Sequence, residues 1–307
     1  VCLLLTLAAG FAIWIVYFLE SCEDPFTALT AAAICACGFP LWRLSLSYHH
    51  ELLVFPFSGL AFLFLRRRNT LLFLLFTLLW ISVKEDIPVY TAFFGAFLFF
   101  RRPRRTGAIL MIVSTTAYLI INGPLHTYFA GSGGPDWTTY WKGGSEYRTG
   151  PVLDLLTAFS FLPLLQPGFA LLTLLPIFII HFFSSHSWHA SFYGHYVYTI
   201  LPFLLYGATE GLKRIESRFS DFLPAICLFS LSIVFYSAAS DRQTPPILPT
   251  ADAREKSLSR LVAGIPAGAC VQTQIPFSAH VRLSQRVFPL MIPEGNPIHS
   301  HMPTIVR

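Results

Sequence analysis

An all-α polytopic transmembrane helical bundle followed by a small α/β soluble tail is the architecture expected of this 307-residue chain. Three observations lead there. Only 12% of its residues are charged and 54% are hydrophobic, whereas a soluble domain carries about 25% charged residues. The apolar residues come in blocks, each close to the ~20 that an α-helix needs to cross a bilayer core. The links between blocks are too brief and too polar to build the surface of a soluble protein.

About ten blocks read as spanning helices: 1–19, 26–42, 51–65, 70–83, 87–100, 107–122, 151–166, 168–182, 195–212 and 220–239. Several fall short of ~17 residues, so their ends must extend into flanking polar residues or sit as re-entrant pieces. The transmembrane domain is therefore placed at 1–240. The chain opens "VCLLLTLAAG", with no Met and no basic region ahead of the apolar run, which is not the pattern of a signal peptide. Residues are expected to precede Val1, bringing at least one more crossing and one more outer loop.

The segment 241–307 differs in composition. It begins "DRQTPPILPTADAREKSLSRL", first Pro-rich and then charged, and reads as a soluble tail. Leu258, Leu261 and Val262 share one face of an expected helix over 252–263, while "ACVQTQ" at 269–274 and "RVFPLM" at 286–291 read as strands. These make the small α/β module. The closing "PEGNPIHSHMPTIVR" is expected to be a loop or disordered.

Lys and Arg set the orientation, because they are retained on the cytoplasmic side. Arg66, Arg67 and Arg68, then Arg101, Arg102, Arg104 and Arg105, then Lys213, Arg214 and Arg218 fall on one face. The other face, before the tail, has only Arg43, Lys84, Lys142 and Arg148, so ten cations stand against four. The first face is the cytoplasm, and the tail lies outside the cytoplasmic membrane of a prokaryote. The net charge of +5 is thus a topology signal and implies no nucleic-acid partner.

Ligand-capable side chains gather on the outer face. "KED", Lys84-Glu85-Asp86, lies there between two apolar stretches, together with "SYHHE", which holds Tyr48, His49, His50 and Glu51. So do His126, His181, His186, His189 and His195, and the tail adds His280, His299 and His301. The simpler explanation is that outer loops are longer. Charge pressed into a membrane interface is costly and tends to be functional, although Lys84-Glu85-Asp86 also suits a solvated connector. Asp86 ahead of Pro88 suits a helix N-cap as well.

Other candidates are weighed singly. Adjacent His49 and His50 point to different sides of a helix, so a hydrogen-bonding His49 with Glu51 is favoured over a metal site. "HSWH" offers His186 and His189 without a third clear ligand, whereas zinc sites need three or four; with Trp188 and Tyr193 it suits an interfacial aromatic belt. The outer loop 123–150 holds Asp136, Trp137, Tyr140, Trp141 and Tyr147, which suits either a sugar ring or the lipid interface. Cys2, Cys22, Cys35, Cys37 and Cys227 lie in or beside spans and only Cys270 in the tail, so no disulfide framework is expected.

Four stretches in order resemble an uncharacterised prokaryotic membrane family, domain of unknown function 2079. They are "YHHELLVFPF", "KED", "YVYTILPFLLYGATEGL" and "IPAGACVQTQIPFSAHVRLSQRVFPL". The family pattern is similar to Phe-His-Pro-Glu, Lys-Glu-Asp, a Tyr followed by a Pro within a helix, and a tail with His, Leu-Ser and Arg. His50 stands here where that pattern has Pro. The family looks like a distant relative of the multi-pass GT-C glycosyltransferases, which take a sugar from a polyprenyl phosphate at the outer membrane face. GT-C enzymes resemble one another in an acidic residue in the first outer loop, which is expected to lie among residues ahead of Val1, so the isolated 307-residue chain is expected to be inactive.

The resemblance implies a chemistry that the surviving residues can be measured against. Glu85 and Asp86 would be the catalytic carboxylates, taking the acceptor's proton or holding a divalent cation. Lys84, His49, Glu51, His195, Tyr196, His280 and Arg286 would bind substrate, with Lys84, Arg282 and Arg286 suited to the phosphate and His126 and His189 as further donors. A transporter or flippase and a non-catalytic assembly protein are the alternatives. Transport places ionisable groups mid-helix, but Asp154 is near a helix start and Glu210 near a cytoplasmic end.

Overall fold

The computed structural model describes residues 2–38, 50–101, 103–125, 128, 149–184, 197–240, 270–273 and 286–289. Two compact units result, Val1–Thr244 and Pro245–Arg307. The first is helical among its described residues. Its helices are α1 (Cys2–Ser21), α2 (Pro25–Cys37), α3 (Val54–Arg66) after a 3-10 turn His50–Leu53, α4 (Thr70–Ile81) and α5 (Ile87–Arg101). They continue with α6 (Arg104–Ile120), α7 (Thr149–Ala158), α8 (Pro167–Phe183), α9 (Val197–Arg218) and α10 (Leu223–Ser240).

Local chemistry sets several ends. Asp24 accepts a hydrogen bond from the Thr27 amide at 2.8 Å and Pro25 opens α2, a preferred cap followed by a preferred first residue. Asn69 caps α4 through the Leu72 amide at 3.1 Å. Between α3 and α4, Arg68 adopts a left-handed backbone with φ 58°, which turns the chain in three residues. These two helices are therefore antiparallel neighbours.

The block expected to be one helix over 151–166 is broken. α7 stops at Ala158, Ser160 and Phe161 take positive φ of 50° and 57°, and the chain resumes as a 3-10 turn Leu162–Leu165. Pro163 and Pro167 explain it, since a proline disfavours helix at the residue before it and cannot donate to the preceding turn. α8 in turn contains a π-helical stretch, Ala170–Leu174.

α9 is the axis of this unit, with every residue from Val197 to Leu212 buried. Its Phe203 and Tyr206 enter an aromatic core with Phe62 of α3, Trp80 of α4, Phe94 and Phe97 of α5 and Phe169 of α8. The Tyr206 ring lies 4.9 Å from that of Phe62 and 5.1 Å from that of Phe94. Offset and edge-on rings at such spacings add about 0.5–1.5 kcal/mol per pair beyond burial. Glycine lets backbones touch here: a Cβ at Gly211 would sit 2.2 Å from the Leu162 carbonyl oxygen. α5 and α6 cross at Gly95 and Gly107 in the same way, and Thr91 and Ser114 share a 2.9 Å hydrogen bond beside that crossing.

The outward faces are apolar. Leu71, Leu75 and Leu78 on α4, Ile112 and Leu119 on α6, and Leu228, Phe229 and Phe235 on α10 are exposed, stripes too extensive for a water-facing monomer. Among the described residues, helices Arg104–Leu125 and Ser220–Ala238 are long and apolar enough to cross a membrane by length and composition. Shorter apolar helices such as α4, with 12 residues, reach only about 18 Å.

The second unit contains two short parallel strands, β1 (Cys270–Thr273) and β2 (Arg286–Pro289), with Cys270 opposite Arg286. Both fall within the stretches expected to be strands. The expected helix over 252–263 and the closing segment lie outside the described residues.

Candidate functional site

Lys84, Glu85 and Asp86 form the link between α4 and α5. α4 closes when the Ser82 amide reaches the Leu78 carbonyl at 3.0 Å. α5 opens when the Asp86 carbonyl accepts the Val89 amide at 3.1 Å. The link is thus a short turn between helix ends. Lys84 is buried, Glu85 is exposed and Asp86 is half-buried.

Asp86 turns one carboxylate oxygen, Oδ2, toward the Tyr90 hydroxyl at 3.3 Å, while its other oxygen has no hydrogen-bond partner among the described residues. Burial pushes its carboxyl up to about 6. The neighbouring Lys84 cation opposes that rise, the Glu85 anion adds to it, and the Tyr90 hydrogen bond again opposes it. The carboxyl therefore titrates close to neutral pH.

Tyr90 continues inward. Its hydroxyl lies 3.0 Å from Nε2 of His181, in the last turn of α8, and neither residue is reached by solvent. Asp86, Tyr90 and His181 thus make a line from the helix ends into the bundle. Sequence reading counts His181 only as one outer-face histidine and passes over Tyr90. The spacing of four between Asp86 and Tyr90, which places both on one face of a helix, is the available signal.

Glu51 is buried in the turn before α3 and lies within electrostatic reach of Tyr198, near the start of α9. The starts of α3, α5 and α9 and the ends of α4 and α8 share one end of the bundle, so Glu51 is at the same end as Lys84-Glu85-Asp86. His49, His195, Tyr196, His126, His186, His189, His280, Arg282 and the aromatic loop with Asp136 lie outside the described residues. Arg286 is described only through its backbone in β2. Glu85 is exposed while Asp86 engages Tyr90, and among the described residues no three or more His, Cys, Asp or Glu side chains gather as a metal site.

The opposite end is built differently. Glu210 of α9 is buried and accepts from Arg101 of α5 at 2.9 Å and from Lys213 at 2.6 Å. Gln166 donates to the Glu210 backbone carbonyl at 3.2 Å, and Arg214 to the Leu165 carbonyl at 3.1 Å. Arg67 pairs with Glu20, and the Asp24 amide donates to Glu216. Beside these, burial pushes the Cys22 thiol up to about 12, so Cys22 is an inert packing residue.

No curated protein and no solved structure matches the chain. A family described as "Predicted membrane protein (DUF2079)" matches it over residues 2–295. Apolar outward faces on a helical unit agree with that description, and the chain belongs to the DUF2079 family of predicted membrane proteins.

Proposed function

We propose that this protein is a GT-C-like glycosyltransferase that takes a sugar from a polyprenyl phosphate at the outer face of a prokaryotic cytoplasmic membrane, with its tail on the same side. The observation that carries this reading is the charge arrangement in the α4–α5 link. A half-buried carboxylate that titrates at about 6 sits beside a buried lysine and an exposed second carboxylate. A general base is most effective when its pKa lies near the working pH.

In this reading Asp86 takes the proton of the acceptor hydroxyl as that oxygen attacks the anomeric carbon. The bond from that carbon to the phosphate oxygen breaks, and polyprenyl phosphate leaves with the added negative charge. Lys84 stabilises that charge as it develops. Glu85, exposed on the same link, orients the acceptor or, with its charge, a divalent cation. Glu51, His49, His195, Tyr196, His280 and Arg286 are the proposed substrate contacts.

Transport is less well supported. Among the described residues the buried charged side chains are Glu51 and Lys84, beside helix ends, and Glu210, which lies within α9 but is neutralised by Lys213 and by Arg101 at the end of α5. Passage through a membrane calls for ionisable groups near its midplane. The test is donor turnover by the chain as encoded, with any residues that precede Val1, supplied with radiolabelled polyprenyl-phosphate sugars. Consumption by wild type and its loss in Asp86→Asn supports the reading; donor left intact by a folded, inserted protein refutes it.

A further inference from the structure

Asp86 is at the rim of the bundle, yet its hydrogen bonds lead through Tyr90 to a histidine that solvent does not reach. Tyr90 has one hydroxyl proton and stands between two groups that can accept it, Asp86 Oδ2 at 3.3 Å and His181 Nε2 at 3.0 Å. With the His181 proton on Nδ1, Nε2 is bare and the Tyr90 hydroxyl donates to it; with Nε2 protonated as well, Nε2–H donates to the Tyr90 oxygen and the hydroxyl donates to the Asp86 carboxylate. When Asp86 is protonated, its acid O–H donates to the Tyr90 oxygen, and the hydroxyl proton is free to face Nε2.

We propose that Asp86, Tyr90 and His181 form a proton relay, in which a proton taken up at Asp86 passes through the Tyr90 hydroxyl to Nε2 of His181. The steps balance. The carboxylic O–H breaks as a new O–H forms on Tyr90, the old Tyr90 O–H breaks as N–H forms on His181, and the pair ends as carboxylate and imidazolium with Tyr90 unchanged. A buried imidazolium is costly alone, but here it has the anion it created two hydrogen bonds away. Asp86 is thereby returned to its basic form without release of a proton at the rim.

Lys84 and Glu85 also face the relay, and both act on Asp86. The backbone of Ser184 closes the helix end by donating to the His181 carbonyl at 3.3 Å. The use of the relay in turnover rests on Asp86 being the base of the proposed transfer. The relay itself is a property of the resting protein, and it is tested with no donor or acceptor present.

The experiment follows the ring nitrogens of the full chain in detergent, labelled with 15N-histidine, with the His181 signal identified by its loss in His181→Gln. The relay predicts that Asp86→Asn lowers the His181 midpoint by roughly one pH unit in the otherwise unsubstituted protein. In a Tyr90→Phe background the same change moves that midpoint by clearly less, the remainder being charge acting through space. Equal shifts in both backgrounds would make the effect one of charge through space and overturn the relay. So would a His181 whose midpoint ignores Asp86→Asn in both. Should Tyr90→Phe fail to fold, 13C-labelled aspartate in the unsubstituted protein replaces it: Asp86 and His181 must then report the same pair of macroscopic midpoints, and separate midpoints overturn the relay.

Discussion

The two ends of the helical unit hold similar residues in opposite conditions. At one end Glu210 has two cations within 2.9 Å, and neighbouring helix ends are tied by Gln166 and Arg214. At the other, Asp86 has a phenol at 3.3 Å, an oxygen without a hydrogen-bond partner among the described residues and a carboxyl held near neutrality. A carboxylate whose partners saturate it is held in one charge state and fastens helices together. One that is under-partnered can change charge, and proton transfer needs that. The same chemical group is thus a fastener at one end and a candidate base at the other.

The largest effect this contrast predicts on stability is at the saturated end. Glu210→Ala removes a buried carboxylate and leaves the partly exposed Arg101 and Lys213 without the anion they share, so it should cost about 1–2 kcal/mol, read as a lower denaturant midpoint in detergent. An unchanged midpoint would mean that this end is no clamp.

Asp86→Asn should do the reverse. Transfer should fall by about 100-fold or more, while stability improves at alkaline pH. The sign follows from the raised carboxyl: the stability it contributes is fully present below its unfolded value of about 3.9 and is lost as pH rises through about 6. At roughly pH 8 the wild type therefore bears the cost of a half-buried anion that Asn removes, and at roughly pH 4 the gain disappears. Melting temperatures of both proteins at the two pH values check this.

Smaller effects sharpen the electrostatics. Because the base works ionised, the rate should rise with pH through about 6. Lys84→Met removes the cation that holds Asp86 down, so that acidic limb should move upward by roughly one unit. Glu85→Gln removes an anion that pushes it up, so the limb should move downward and by less. Opposite directions are the expected signature; a common direction would mean that neither charge acts on Asp86.

Much of the helical unit was legible from apolar runs, because a lipid-facing helix must hide its backbone and show a greasy face whatever its neighbours are. The break after α7 was not read, although Pro163 and Pro167 marked it. Lys84-Glu85-Asp86 stood out because charge between two apolar blocks is conspicuous. His181 did not, because its partner Tyr90 is 91 residues away in sequence, and periodicity along one helix says nothing of which other helix it meets. Glu210, read as merely near a cytoplasmic end, owes its role to Arg101, another distant partner.

The most direct test of the central claim is donor consumption at the outer face. The protein as encoded, reconstituted into liposomes, is given radiolabelled polyprenyl-phosphate sugars and an extract of acceptors, beside Asp86→Asn and Glu210→Gln. The account predicts that wild type releases polyprenyl phosphate, that Asp86→Asn does not although it folds at least as well, and that Glu210→Gln loses activity only in proportion to the protein that unfolds. Full activity in Asp86→Asn, or no release by a well-folded wild type, would contradict it.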